Sequence, residues 1–300
     1  MATAAATAPR TITERASRGI WRDALRRLLR NGPALVGLAF IGLFLFMALL
    51  APFLTPYDPL AGVPQRVNAV PGPGTPGHLL GLDLLGRDEL TRIVYGARIS
   101  LIVSVGSMLM GLALGGTIGA IAGAAGGLTD NIMMRAVDVL LAIPGILLAI
   151  GVVTWLGRGL PQIMLAVAAT NAPIFARILR GSLLANREQD YVVAARSIGA
   201  SRIRILFRHL LPNSLTAVMV AGTLALATAI IDVAGLGFLG LGPADPRTAE
   251  WGTMLTDSTS YLRNAPYLIF FPGVAIVISA IGFNLLGDGL RESLDPRLKR

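Results

Sequence analysis

Few side chains in this sequence could carry bond-making chemistry, and none has the neighbours it would need. There is no cysteine, so disulfides, thiolate metal sites and iron–sulfur clusters are excluded. The single lysine, Lys299, follows no glycine-rich loop, so the phosphate cradle G-x-x-x-x-G-K-[ST] and its route to ATP hydrolysis are absent. His78 and His209 lie far apart, which excludes the zinc pattern H-E-x-x-H. Charged residues inside apolar stretches remain. Asp232 stands deep in one such stretch, where a carboxylate is costly enough to be a functional candidate; it either faces a translocation path or sits near the outer interface, hydrated or bonded to a neighbouring helix. Arg135 and Asp138, three apart on one helical face, form either a structural ion pair or part of a gate.

The segment 187 to 212 carries a different kind of function, a grip for another protein. Glu188 and Asp190 favour a helix start, and Tyr191, Ala194, Ala195 and Ile198 line one face. Gly199 can end that helix in a left-handed conformation, Ser201 can cap a second helix, and Pro212 ends or redirects it. The pattern predicts a compact helix–turn–helix in which small Ala194 and Ala195 expose a docking surface.

These residues must be positioned by membrane-spanning helices. The 300 residues are 54% hydrophobic and only 14% charged, against about 25% charged in soluble chains. A span needs about 20 apolar residues. Apolar runs predict six spans, over residues 34–54, 100–124, 132–156, 160–182, 213–240 and 265–287. They leave no room for a separate ATP-hydrolysing domain. Basic residues concentrate on the cytoplasmic side of membranes, and with the N-terminus inside, 19 of the 26 Lys and Arg fall on inner segments. Both termini are therefore expected in the cytoplasm, and the net charge of +9 reflects this asymmetry and not nucleic-acid binding.

The expected organisation is a cytoplasmic tail over residues 1–33, a first transmembrane helix over 34–54, an extracytoplasmic segment over 55–98, a core transmembrane domain over 99–290 and a cytoplasmic tail over 291–300. The tail is read as a disordered tip followed by an amphipathic helix with Trp21, Leu25, Leu28 and Leu29 on one face. The outer segment should be irregular in its proline-rich first half, with an interfacial helix over Leu85 to Arg98. Gly111, Gly115, Gly119, Gly123 and Gly127 recur every four residues in span two, a ridge suited to close helix packing. Pro144 and Pro173 should kink spans three and four.

The segment 187 to 212 resembles the cytoplasmic EAA loop of ABC importer permeases. Ala194, Ala195, Gly199, Leu211 and Pro212 match at the family's spacing, while Val193 replaces the Glu and His209 the Ile. Further stretches, His78-Leu79-Leu80-Gly81-Leu82-Asp83, Trp251-Gly252-Thr253-Met254-Leu255, Phe283-Asn284-Leu285-Leu286-Gly287-Asp288-Gly289 and Leu294-Asp295-Pro296-Arg297, are similar to the C-type permeases of dipeptide, oligopeptide and nickel importers. The resemblance implies an all-α membrane protein of the type I ABC importer permease fold in the bacterial inner membrane. It implies no catalytic residue or cofactor in this chain, with ATP and Mg bound by two partner ATPase subunits. It further implies a homologous partner permease, an extracytoplasmic substrate-binding protein and a peptide substrate, with nickel or a metal chelate as the alternative cargo. Tyr191, Ala194, Ala195, Gly199, Leu211 and Pro212 become the ATPase-coupling residues. Where such permeases commonly carry Glu in span five, this chain has Val233, with Asp232 turned about 100° around the helix.

Overall fold

In the computed structural model, residues 20–62, 71–245 and 247–294 are described. The expected disordered tip therefore lies outside the described residues, as does the tail beyond Leu294. Helices α1 (Ile20–Leu28) and α2 (Gly32–Leu54) are joined at Asn31, whose side chain caps α2 by accepting from the Ala34 N–H at 3.0 Å. Leu25 and Leu29 of the amphipathic segment are exposed, while Leu28 packs near Gly289 of the last helix.

Helix α3 (Glu89–Ala125) is 37 residues long, or about 55 Å, well beyond the roughly 30 Å of hydrocarbon. The expected interfacial helix and span two are thus one helix, and the boundary at residue 98 is not a structural break. Asp88 fixes its start, accepting from the backbone N–H and the hydroxyl of Thr91 at 2.8 and 2.7 Å. Nothing between Glu89 and Ala125 is a proline, so the helix has no reason to stop at the membrane surface.

The third span is not one rod. Helices α4 (Gly127–Ala142) and α5 (Gly145–Leu156) meet at 95°, broken at Pro144, which has no N–H for a helical hydrogen bond and biases Ile143 to an extended backbone. Helix α6 (Leu160–Arg187), by contrast, runs unbroken through Pro173. The chain then forms α7 (Asp190–Ser197), α8 (Arg202–Ile205), α9 (Leu211–Leu236), α10 (Trp251–Ser258) and α11 (Tyr267–Leu294). Among the described residues, five helices are long and apolar enough to cross a membrane, or six when the bent pair α4–α5 is counted as one span.

Three packed clusters organise the bundle. One joins α2, α3, α9, α10 and α11 around Phe44 and Trp251, whose rings meet edge to face at 5.3 Å. A second joins α3, α5, α6 and α9 around Val153, Ile163 and Val233. The third holds the segment after α6 against the bundle through Leu183, Val192, Ile205 and Leu210. Lipid is as apolar as these side chains, so close approach of backbones must add to the packing. It does so along α3, where a Cβ at Gly115 or Gly119 would run into the carbonyls of Ala172 or Ala176 on α6. Gly127 leaves this ridge; it has φ +57° at the start of α4.

Candidate coupling site and translocation face

Helix α7 opens without a side-chain cap and closes with a Schellman motif. The N–H of Ala200 donates to the Ala195 carbonyl at 3.1 Å and that of Gly199 to the Arg196 carbonyl at 3.0 Å. This turn requires Gly199 in the left-handed region, and its φ is +81°. Ser201 then caps α8, accepting from the Arg204 N–H at 3.3 Å. Val192 and Ala195 face inward, packed near Leu183 and Ile205, whereas Val193, Ala194 and Ile198 face outward, Ile198 being 87% exposed. The expected exposed pair Ala194 and Ala195 is therefore split. On a helix pinned at Val192, a residue three further along lies on the same inner face.

The second half of the segment also departs from expectation. Pro212 neither ends nor redirects the helix, because α8 continues through a π turn (Leu206–Leu210) into α9. There the Leu211 N–H donates to the carbonyl of Leu206, five residues back, and the wider turn accommodates the proline ring. Asn213 locks the two halves together. Its side-chain amide donates to the His209 carbonyl at 2.7 Å and to the Tyr191 hydroxyl at 3.2 Å, so Tyr191 ties α7 directly to the base of α9. Asn186 donates in the same way to Ser214 at 3.0 Å. Neither asparagine was singled out by sequence reasoning; for Asn213, an amide directly after the proline was the available signal.

Asp138 is not paired with Arg135. Its partner is Arg177 of α6, whose guanidinium donates to it at 2.6 Å. One turn nearer the loop end of α6, Arg180 holds Asp130 through two parallel bonds, one of 2.6 Å. Spacing along one helix could not reveal these partners, which belong to a neighbouring helix. Arg177 and Asp138 are both more than half exposed, at 57% and 51%, although each lies well inside its helix. A charge facing hydrocarbon at such depth costs roughly 3 kcal/mol. This face therefore meets protein or water. Elsewhere on α4 and α5, Ile132, Val139, Leu147 and Trp155 are exposed. Asp232 is partly buried on α9 and has no hydrogen bond or ion pair to a described residue, while Val233 beside it is sealed in the core. The difference of about 100° decides which of the two side chains can reach the surface of the bundle.

At the opposite end lies a polar cluster that sequence reasoning did not single out as a site. Arg87 donates to Asp83 at 2.6 Å, and Arg92 lies 3.5 Å from the same carboxylate. His78 shares a hydrogen bond with Asp88 at 2.9 Å. Glu250 caps α10, accepting from the backbone N–H groups of Gly252 and Thr253, both at 2.8 Å. Trp251 donates to the Ile93 carbonyl at 3.1 Å. A cavity of about 300 Å³ opens here between Arg87, Glu89 and Asp257. Burial is the main influence on the carboxyls of Glu250 and Asp257 and pushes both above the ordinary range.

The arrangement is that of a helical bundle with a clamped short helix at one end, an exposed ion pair on its side and a polar cluster at the other end. Residues 115–300 match the family model described as the inner membrane component of binding-protein-dependent transport systems. The chain belongs to that family. Residues 19–71 of this permease also match the N-terminal transmembrane domain of oligopeptide transport permease C. The dipeptide transport system permease protein of Alkalihalophilus pseudofirmus is 44% identical over 279 residues, 93% of this chain and 90% of the relative. The glutathione transport system permease protein of Pectobacterium atrosepticum is 44% identical over 289 residues, 96% and 95% of the two chains. The di/tripeptide permease of Pseudomonas aeruginosa is 40% identical over 272 residues, covering 90% and 89%. In fold, the permease is similar to the inward-facing MetNI methionine ABC transporter, with a TM-score of 0.57 and 21% identity over 68% of this chain and 96% of that one. The resemblance to ABC importer permeases of type I fold is thus borne out.

Proposed function

We propose that this permease forms half of the translocation path of an ATP-driven importer of di- and oligopeptides in the bacterial inner membrane, with both termini cytoplasmic. A homologous permease supplies the other half, two ATPase subunits bind ATP and Mg and hydrolyse the nucleotide, and an extracytoplasmic binding protein delivers the peptide. The chain itself supplies no catalytic group. The observation that carries this reading is the α7 grip: a short helix presenting Ala194 and Ile198 outward, clamped by Tyr191 and Asn213 to the base of a membrane-spanning helix. A protein docked on α7 moves α9 with it, which is the physical requirement for coupling two distant sites through a bistable bundle. The exposed Arg177–Asp138 pair suits a surface that meets the partner permease or the aqueous path. The names of the relatives support a peptide cargo over nickel or a metal chelate.

The test is purification of the natively expressed chain in mild detergent, with mass spectrometry of what remains attached. A second permease, ATPase subunits and a binding protein are expected, and the ligand of that binding protein is expected to be a peptide. Purification alone, with transport intact in liposomes, refutes the reading.

A further inference from the structure

At the end of the bundle that carries α7, a second cavity of about 310 Å³ opens between the last turn of α3, the end of α6 and α8. Its floor is apolar, made by buried Ile205 and Leu210 and half-buried Leu206. Three arginines rim it: Arg187 from the end of α6, Arg196 from α7 and Arg202 from the start of α8. Their guanidinium groups have no hydrogen bond or ion pair to any described residue, and neither Glu188 nor Asp190 on the same loop reaches them. Arg187 lies over the carboxyl end of α3, 4.0 Å from where a Cβ on Gly126 would stand.

Three unpaired guanidiniums converging on one cavity call for an anion. The floor restricts which anion. Ile203 in the cavity's lining and Leu128 and Phe207 beside it in sequence are 72%, 74% and 65% exposed, so apolar surface continues outward from the floor, and the cavity lies where the membrane-spanning α3 ends. The site thus offers cations at its mouth and an apolar floor beneath, at the interface where two long helices end. A free phosphate uses only the first of these. We propose that this cavity binds the phosphate of an anionic phospholipid headgroup, with Arg187, Arg196 and Arg202 as its ligands and the apolar floor taking the first methylenes of an acyl chain. The bound lipid ties the end of α3 to α7 and α8, and so sets the seating of the grip. Basic pockets between helix ends are a general means of binding acidic headgroups.

The test uses the full-length chain in mild detergent, offered equal amounts of dioleoyl phosphatidylglycerol and dioleoyl phosphatidylcholine, with retained lipid counted by native mass spectrometry. A preference for phosphatidylglycerol is expected, falling by about fivefold for each guanidinium removed, so that R187Q/R196Q/R202Q shows almost none. The charge-matched variant R22Q/R26Q/R30Q, altered on and just after α1, is expected to keep the preference. Equal loss in both variants overturns the proposal, because attraction then follows total charge and not this cavity. Displacement of the lipid by inorganic phosphate overturns it too, assigning the site to a free anion. If the triple variant does not survive purification, R196Q alone, exposed on α7, carries the same test, and an unchanged preference counts against the site. None of these readings depends on transport, so failure here leaves the importer reading untouched.

Discussion

Replacing Gly199 isolates the backbone geometry of the coupling turn from every other contribution. Its φ of +81° lies where L-residues pay about 1–2 kcal/mol, with β-branched side chains at the upper end and Asn well below it. A Cβ built there meets nothing within 4 Å, so the cost is conformational and not steric. Asn and Val are close in size, which makes the pair G199N and G199V a clean comparison. A strain of about 2 kcal/mol shifts the turn roughly 30-fold towards geometries in which α7 and α8 no longer meet as they do here. The assay is peptide-stimulated ATP hydrolysis by the complete importer in liposomes, alongside the amount of chain inserted. G199N is expected to keep most of the stimulation, G199A less, and G199V about a tenth or below, with insertion unchanged in all three. Equal activity of G199N and G199V refutes the argument, since side-chain size or nothing at all would then be at stake.

The polar cluster around Glu250 gives a pH-dependent prediction. The Glu250 carboxyl is pushed up by burial, so the folded chain binds more protons than the unfolded one between the ordinary Glu value and the raised one, and stability falls as pH rises through that window. Asp257 adds a slope of the same sign. Thermal unfolding from about pH 5 to about pH 8 should therefore show wild type losing ground relative to E250Q; parallel curves would contradict this. In the membrane, G115A should destabilise the α3–α6 contact by about 1–3 kcal/mol, because the new methyl group meets the Ala172 carbonyl. G42A, whose Cβ meets nothing within 4 Å, should cost nothing in the same detergent unfolding assay, and a similar loss in both would discount the close approach.

The features legible in the sequence were those set by local rules. Span positions follow from apolar run length, the glycine ridge from a four-residue period, and the left-handed turn at Gly199 from the only residue type that enters it freely. What escaped depends on neighbours. Asp138 finds Arg177 because α4 and α6 lie side by side, and Ala195 turns inward because Val192 is pinned against Leu183 and Ile205. Pro212 reads as a stop signal on its own, but the π turn before it removes the clash. The depth of the break at Pro144 likewise depends on where α5 must pack, against α6 and α9, and not on the proline alone.

From Arg202 the chain runs as one nearly continuous helix, about 57 Å long, until Gly240 leaves the helical region at φ +75°. Its base is clamped to α7 by Asn213, and its far end is held by α10, where the Thr256 hydroxyl donates to the carbonyls of Gly237 at 3.1 Å and Phe238 at 2.6 Å. Such an element acts as a lever with both ends engaged. Tilting it by about 10° displaces one tip by roughly 10 Å relative to the other, so a small rocking at the α7 end becomes a large displacement at the α10 end. In the half nearest α7 the break in regular α-helical geometry is the π turn at Leu206–Leu210, and under the proposed coupling role that turn is the joint through which stroke length is set.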